Sequence, residues 1–201
     1  MRKPHYMLVC FFLWISASVA ASWAGEPTTV VQGILNDAMD ITGQPDLQGK
    51  EHRKERSEAI KQLISKHFLT EKMARDSLKQ HWDTLSIEQR AEFAEIFSDL
   101  FQNSYTTMVL NFLERETIEY REEHSVSEKV EVETVIMRAN EHIPVDYHLR
   151  NVEGAWLIDD VEIDGVSIVR NYQNAFHRVI VNESYEGLLR KMQIQRAAIT
   201  E

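Results

Sequence analysis

The chain has 201 residues, of which 43% are hydrophobic and 27% charged, and its formal net charge is −10. That balance argues against partners that present phosphate backbones or anionic membrane surfaces, so no nucleic acid is expected to bind. The length suffices for one domain with a sizeable core, and a single cysteine, Cys10, excludes an internal disulfide.

In chain order, the first element is a leader. Arg2 and Lys3 precede an almost wholly apolar run from Tyr6 to Val19, and small residues follow, with Ser22-Trp23-Ala24 before Gly25 and Ala20-Ala21 as a second cleavage point. This is the layout of a secretory signal peptide cleaved after Ala24, leaving a single domain over 25–201. An uncleaved anchor is the alternative, although the run is short against the roughly 20 residues of a spanning helix. Phe11 to Ile15 carry the apolar run beyond Cys10, which argues against a lipid-modified cysteine. Removing the leader removes the only cysteine, and with it thiol catalysis and cysteine-ligated metals. The leader holds two of the 22 basic residues and none of the 32 acidic ones, so the remainder carries a charge of −12.

Thr28 to Met39 has helical periodicity, and Gly43-Gln44-Pro45 breaks it. The charged stretch from Gln48 to Glu58 reads as a solvated helix face with paired charges. A shorter helix is expected around Glu71 to His81. The clearest signal begins at Ser86, where Ser86-Ile87-Glu88-Gln89 forms a capping box. Beyond it Phe93, Ile96, Phe97, Leu100, Phe101, Tyr105, Met108 and Phe112 recur at three- and four-residue steps, the apolar face of a helix reaching Leu113.

The period then changes to two. A weaker strand covers Thr117 to Glu122, and alternating strands follow around Val130–Ile136, Ile143–Arg150 and Ala155–Ile163, with a turn at Asn151–Gly154. Asp164-Gly165 is expected to end the sheet. The chain reads helical again from Val166 to about Val181 and from Ser184 to about Ile199. The order predicts an α+β domain: an antiparallel four-stranded sheet covered by the long aromatic-rich helix and the C-terminal helices. If those helices lie flat on the sheet the core is closed; if they stand off it, the same side chains line a cavity.

Trp82, Leu85-Ser86-Ile87-Glu88-Gln89-Arg90, Phe93, Phe97 and Tyr105 in the first half resemble one segment of a known family. Tyr147, Trp156, Asp160-Val161, Gly165-Val166-Ser167-Ile168 and Asn171-Tyr172 resemble its second half, and Phe176 and Gly187-Leu188-Leu189 fit its ending. The chain is similar over nearly its whole mature length to the MlaC family, periplasmic phospholipid-binding components of ABC-type lipid transport systems, also called toluene-tolerance auxiliary proteins. It departs from the pattern at Phe68-Leu69, where the family tends to place an aspartate, and at Leu78-Lys79, where Leu-Gly is common.

The resemblance implies a periplasmic carrier without a cofactor. The implied partners are phospholipid, an inner-membrane ABC permease with its MCE-domain protein, and an outer-membrane lipoprotein complex. Two acyl chains hold roughly 28 methylenes at about 0.8 kcal/mol each, so on the order of 20 kcal/mol must be shielded from water. That requires an enclosed apolar pocket between sheet and helices. Its expected lining is Phe97, Phe101, Tyr105, Met108 and Phe112 on the long helix, with Val132, Ile136, Val145, Tyr147, Trp156 and Ile158 on the sheet. Val166, Ile168, Tyr172 and Phe176 are expected to close the remaining side.

Enzymatic readings find little material. His52, His67, His81, His124, His142, His148 and His177 are scattered without ligand spacing, so no metal site is expected. Asp159 and Asp160 are adjacent in a strand and should face opposite ways, while Asp160 and Glu162 read as a solvated edge or a turn contact. No nucleophile elbow or phosphate loop is present. The rival from another class is a cone-shaped NTF2-like enzyme or binding protein, for which Asp146, Tyr147 and His148 are the best raw material. Alternation puts only Tyr147 on the apolar face. A third reading, an interaction module without ligand, predicts a filled core.

Overall fold

A computed structural model describes residues 26–47, 49–113, 116–138 and 141–200. The proposed leader, residues 1–24, lies outside them. The N-terminal half is helical: α1 (Glu26–Gly43), α2 (Arg53–His67), α3 (Thr70–Leu78) and α4 (Ile87–Phe112), with 3-10 turns at Pro45–Leu47 and Lys79–Thr84. The charged stretch ahead of Glu58 runs into α2, whose Ile60 and Ile64 turn inward at i, i+4 spacing.

The start of α4 is set by the capping box. The Gln89 amide donates to the Ser86 hydroxyl at 3.2 Å, and the Ser86 amide donates to the Gln89 side chain at 2.9 Å, so both orphan amides are satisfied. Arg90 secures the approach to the helix by donating to the Trp82 carbonyl at 3.0 Å while its guanidinium lies over the Trp82 ring.

The sheet is an antiparallel meander of five strands in chain order, β1 (Thr117–Val126), β2 (Lys129–Arg138), β3 (Glu141–Val152), β4 (Ala155–Ile163) and β5 (Val166–Ser167). The fifth strand corrects the expectation of four. Asp164 and Gly165 both take positive φ, 50° and 76°, and reverse the chain so that Val166 and Ser167 pair with Ile163 and Glu162. Asp-Gly with left-handed backbone at both positions is a favoured two-residue hairpin connection, and the sheet gains a short edge instead of ending. The helix that follows, α5 (Ile168–Asn182), begins two residues later than Val166, and α6 (Tyr185–Thr200) completes the chain.

Strand β4 does not alternate evenly. Its register against β3 shifts between His148 and Leu149, which pair with Asp160 and Ile158, so Asp159 is the extra residue of a bulge. Ile158 and Val161 consequently both turn inward although they are three residues apart. Asp159 is buried in the bulge, where it accepts from Arg150 and pairs with Lys72 at 3.2 Å.

Helix α4 packs on α2, α3 and α6, while α1 contacts β2, and α2, α3 and α5 contact β4. The N-terminal part of α4 fills an aromatic core. Phe93, Phe97 and Phe101 stack along the helix at ring separations of 6.1 and 6.0 Å, and Phe97 meets Tyr172 of α5 edge-on at 5.2 Å. Phe176 closes against both Phe93 and Phe97. Edge and offset contacts of this kind add to the large area each ring buries.

Candidate functional site, an apolar cavity

The C-terminal part of α4 faces a cavity of about 310 Å³. One wall is helical. Tyr105, Met108, Val109 and Phe112 come from α4, Ile34, Leu35 and Ala38 from α1, and Ile60, Leu63 and Ile64 from α2. In each helix these positions are spaced by one, three or four residues, which brings their side chains onto one stripe. The opposite wall is the concave face of the sheet: Ile136 and Arg138 from β2, Ile143, Val145 and Tyr147 from β3, Val161 and Ile163 from β4. The contributing residues of β2 and β3 alternate along each strand, as the pleat requires. Phe68, Leu113 and Ile168 complete the lining.

Of the residues expected to line a pocket, the cavity brings together Tyr105, Met108, Phe112, Ile136, Val145, Tyr147 and Ile168. The others stand elsewhere. Phe97, Phe101, Tyr172 and Phe176 form the aromatic core one to two turns away. Val132 and Ile158 are buried under the helices, Ile158 against Phe68. Trp156 lies on the strand ahead of the β4 bulge, and Val166 is 57% exposed beside the β4–β5 turn. The bulge sets the β4 part of the lining: beyond Asp159 it exchanges the inward parity, so Val161 and Ile163 face the cavity where unbroken alternation would have turned Asp160 and Glu162 inward, while Ile158, ahead of the bulge, is buried outside the lining.

The α1 and α2 wall was not anticipated from the sequence. Ile60, Leu63 and Ile64 are i, i+3, i+4 neighbours embedded among lysines and glutamates, and that spacing was the available signal.

The chemistry of this space is almost wholly apolar. Tyr105 and Tyr147 supply phenols whose pKa burial pushes up, so both remain neutral. Arg138 is the one charged side chain in the lining among the described residues. The set Asp146, Tyr147 and His148 does not converge: Tyr147 points into the cavity, while His148 and its ion-pair partner Glu131 belong to the opposite face. Burial, reinforced by Glu131, Glu133 and Glu162 against the opposing effect of His148, raises the Asp146 carboxyl above its ordinary value.

A polar groove that shares no lining residue with the cavity holds Lys72, Asp76, Asp159, Asp160 and Arg170. Asp160 there is a structural clamp. It accepts from the Ser167 hydroxyl and from the Val169 amide at 3.1 Å, while Ser167 caps α5 by accepting from the Arg170 amide. The turn contact expected of Asp160 is thus made to the first turn of α5. Among the described residues no group of three or more potential ligands is placed to hold a metal ion, and no helix is long and apolar enough to cross a membrane.

Comparison with known proteins agrees with this architecture. A solved structure from Ralstonia solanacearum, described as a phospholipid-binding protein in complex with a phospholipid, superimposes with a TM-score of 0.72. It is 20% identical, and the match covers 86% of this chain and 98% of that one. No curated protein sequence matches the chain. The sequence model of the MlaC protein family matches residues 32–194, a span that includes both walls of the cavity and the α5 cap. The chain belongs to the MlaC family.

Proposed function

We propose that this protein is a periplasmic phospholipid carrier whose cavity shields the acyl chains while the head group remains at the opening. The observation that carries the reading is the cavity itself. Three helices and the sheet are held apart over about 310 Å³ with almost no polar group between them. An empty apolar space of that size forfeits the dispersion contacts of its walls, whereas ligand sites of this scale and composition are common. The MlaC membership and the phospholipid in the Ralstonia structure support the same ligand class.

The carrier would exchange lipid with an inner-membrane ABC permease bearing an MCE-domain protein, and with an outer-membrane lipoprotein complex. Export would depend on the leader at residues 1–24. Among the described residues that line the cavity none forms a catalytic set, so the function proposed is binding and transfer without chemistry on the lipid.

Met108→Asp tests the lining. Met108 is half-buried on the last turns of α4, so a charge there can reach water and the fold should survive. It would nevertheless place a carboxylate against the acyl chains, which costs several kcal/mol without a partner. The variant should be secreted and folded yet carry less than a tenth of the wild-type lipid. Wild-type lipid content in folded Met108→Asp would contradict the proposed lining.

A further inference from the structure

We propose that Arg138 recognises the phosphate of the bound lipid, making this cavity selective for phosphate-bearing lipids over neutral diacylglycerols. The inference rests on the carrier reading above and names the head-group chemistry the site selects. Its basis is the position of one cation on an apolar wall. Arg138 ends β2 and is the only charged side chain lining the cavity among the described residues. Its neighbour in that lining, Phe112, is 56% exposed, which places both at the solvent end of the space.

The Arg138 guanidinium lies 5.3 Å from the centre of the Phe112 ring, and its side chain is 41% exposed. The stem therefore follows the apolar wall while the charged end stands at the opening. Stacking on an aromatic face fixes the plane of the guanidinium without consuming its donors. Its ion partner is Glu116, met by Nε at 3.8 Å, the outer limit of an ion pair. The terminal nitrogens, the fork that can donate to a pair of phosphate oxygens, are directed to no carboxylate among the described residues. The contrast is Asp159 in the polar groove, which lies within ion-pair distance of both Lys72 and Arg150.

A lipid with its tails in the cavity must pass its glycerol and phosphate through this opening. In a chain of charge −10, the general field repels an anion, so a local cation decides whether a phosphate is tolerated there. A neutral diacylglycerol would bury the same tails and leave Arg138 without an anion.

The test is competitive uptake from vesicles of dioleoylphosphatidylethanolamine containing dioleoylglycerol, with the protein re-isolated and its lipid quantified by mass spectrometry. Wild type should enrich the phospholipid over the diacylglycerol by about tenfold relative to the vesicle, the worth of a charge-assisted hydrogen bond. Arg138→Gln should take up the two lipids in their vesicle ratio, with that preference lost, and Arg138→Lys should restore part of it. Excess inorganic phosphate should leave the wild-type ratio unchanged. Equal enrichment by wild type and Arg138→Gln would overturn the assignment while leaving the carrier reading intact, and so would loss of the wild-type preference on adding inorganic phosphate, which would indicate a free-anion site. Lack of uptake by every form would refute the carrier reading and this assignment together.

Discussion

Phe97 and Phe112 lie on the same stripe of α4, yet they answer to different demands. Phe97 is 1% exposed and is held by rings from α4 and α5, whereas Phe112 is half in solvent at the cavity opening. Phe97→Ala should therefore cost about 3–5 kcal/mol of stability, the range for truncating a buried aromatic. The fraction that remains folded should keep its lipid. A denaturant series with lipid quantification checks both parts, and loss of lipid from folded Phe97→Ala would show that the aromatic core reaches the ligand.

A second residue-scale consequence concerns pH. Burial, aided by Lys66 and opposed by Asp37, holds the His67 imidazole below its ordinary 6.5. The unfolded chain then binds the proton more readily than the folded one, so stability falls as pH drops below about 6.5 and levels off once both states are protonated. Replacing His67 by glutamine should flatten this part of the profile. The comparison is the urea midpoint at pH 7 and near pH 5.5, and an identical acid loss in wild type and variant would assign the effect elsewhere.

At the scale of elements, the junctions explain more than the elements themselves. Lys79 follows α3 with φ 49° and ψ −122°, a conformation that costs a side-chain-bearing residue energy and that glycine adopts freely. It coincides with the departure from the Leu-Gly pattern noted at Leu78-Lys79. Lys79→Gly should add about 1 kcal/mol and raise the melting temperature by about 2–4 °C. An unchanged or lowered value by calorimetry would mean that the lysine side chain contributes more than the backbone loses.

The helices and main strands were legible in the sequence because each follows one period over many residues, and α4 also announces its start through Ser86 and Gln89. The bulge at Asp159 was not legible. A single inserted residue leaves no compositional mark, yet it exchanges the faces of everything after it and turns Val161 and Ile163 inward where strict alternation would place Asp160 and Glu162. The same limit hid β5, whose two residues are too few to show a period and whose only signal was Asp164-Gly165. The α2 wall was hidden for a different reason: three apolar side chains determine where the helix packs, while the charges around them dominate its composition.

At the scale of the molecule, the arrangement separates stability from function. The aromatic cluster of α4 and α5 holds one end of the protein together, so the other end of α4 can stand away from the sheet. Most of the family's signature residues serve the first task. Trp82, Ser86, Arg90, Asp160 and Ser167 build caps and turns, and of the signature only Tyr105, Tyr147, Val161 and Ile168 reach the cavity. The resemblance to the MlaC family is therefore carried mainly by residues that make the fold, and most of the cavity lining lies outside the signature.

On the carrier reading proposed here, the cavity is occupied by the acyl chains of a phospholipid. The most direct test of that reading is native mass spectrometry of the protein purified without detergent after export, followed by organic extraction of the bound species. A carrier should appear as a complex with about one phospholipid per chain, which disappears on extraction into organic solvent. A ligand-free mass that stays unchanged after incubation with phospholipid vesicles would contradict it.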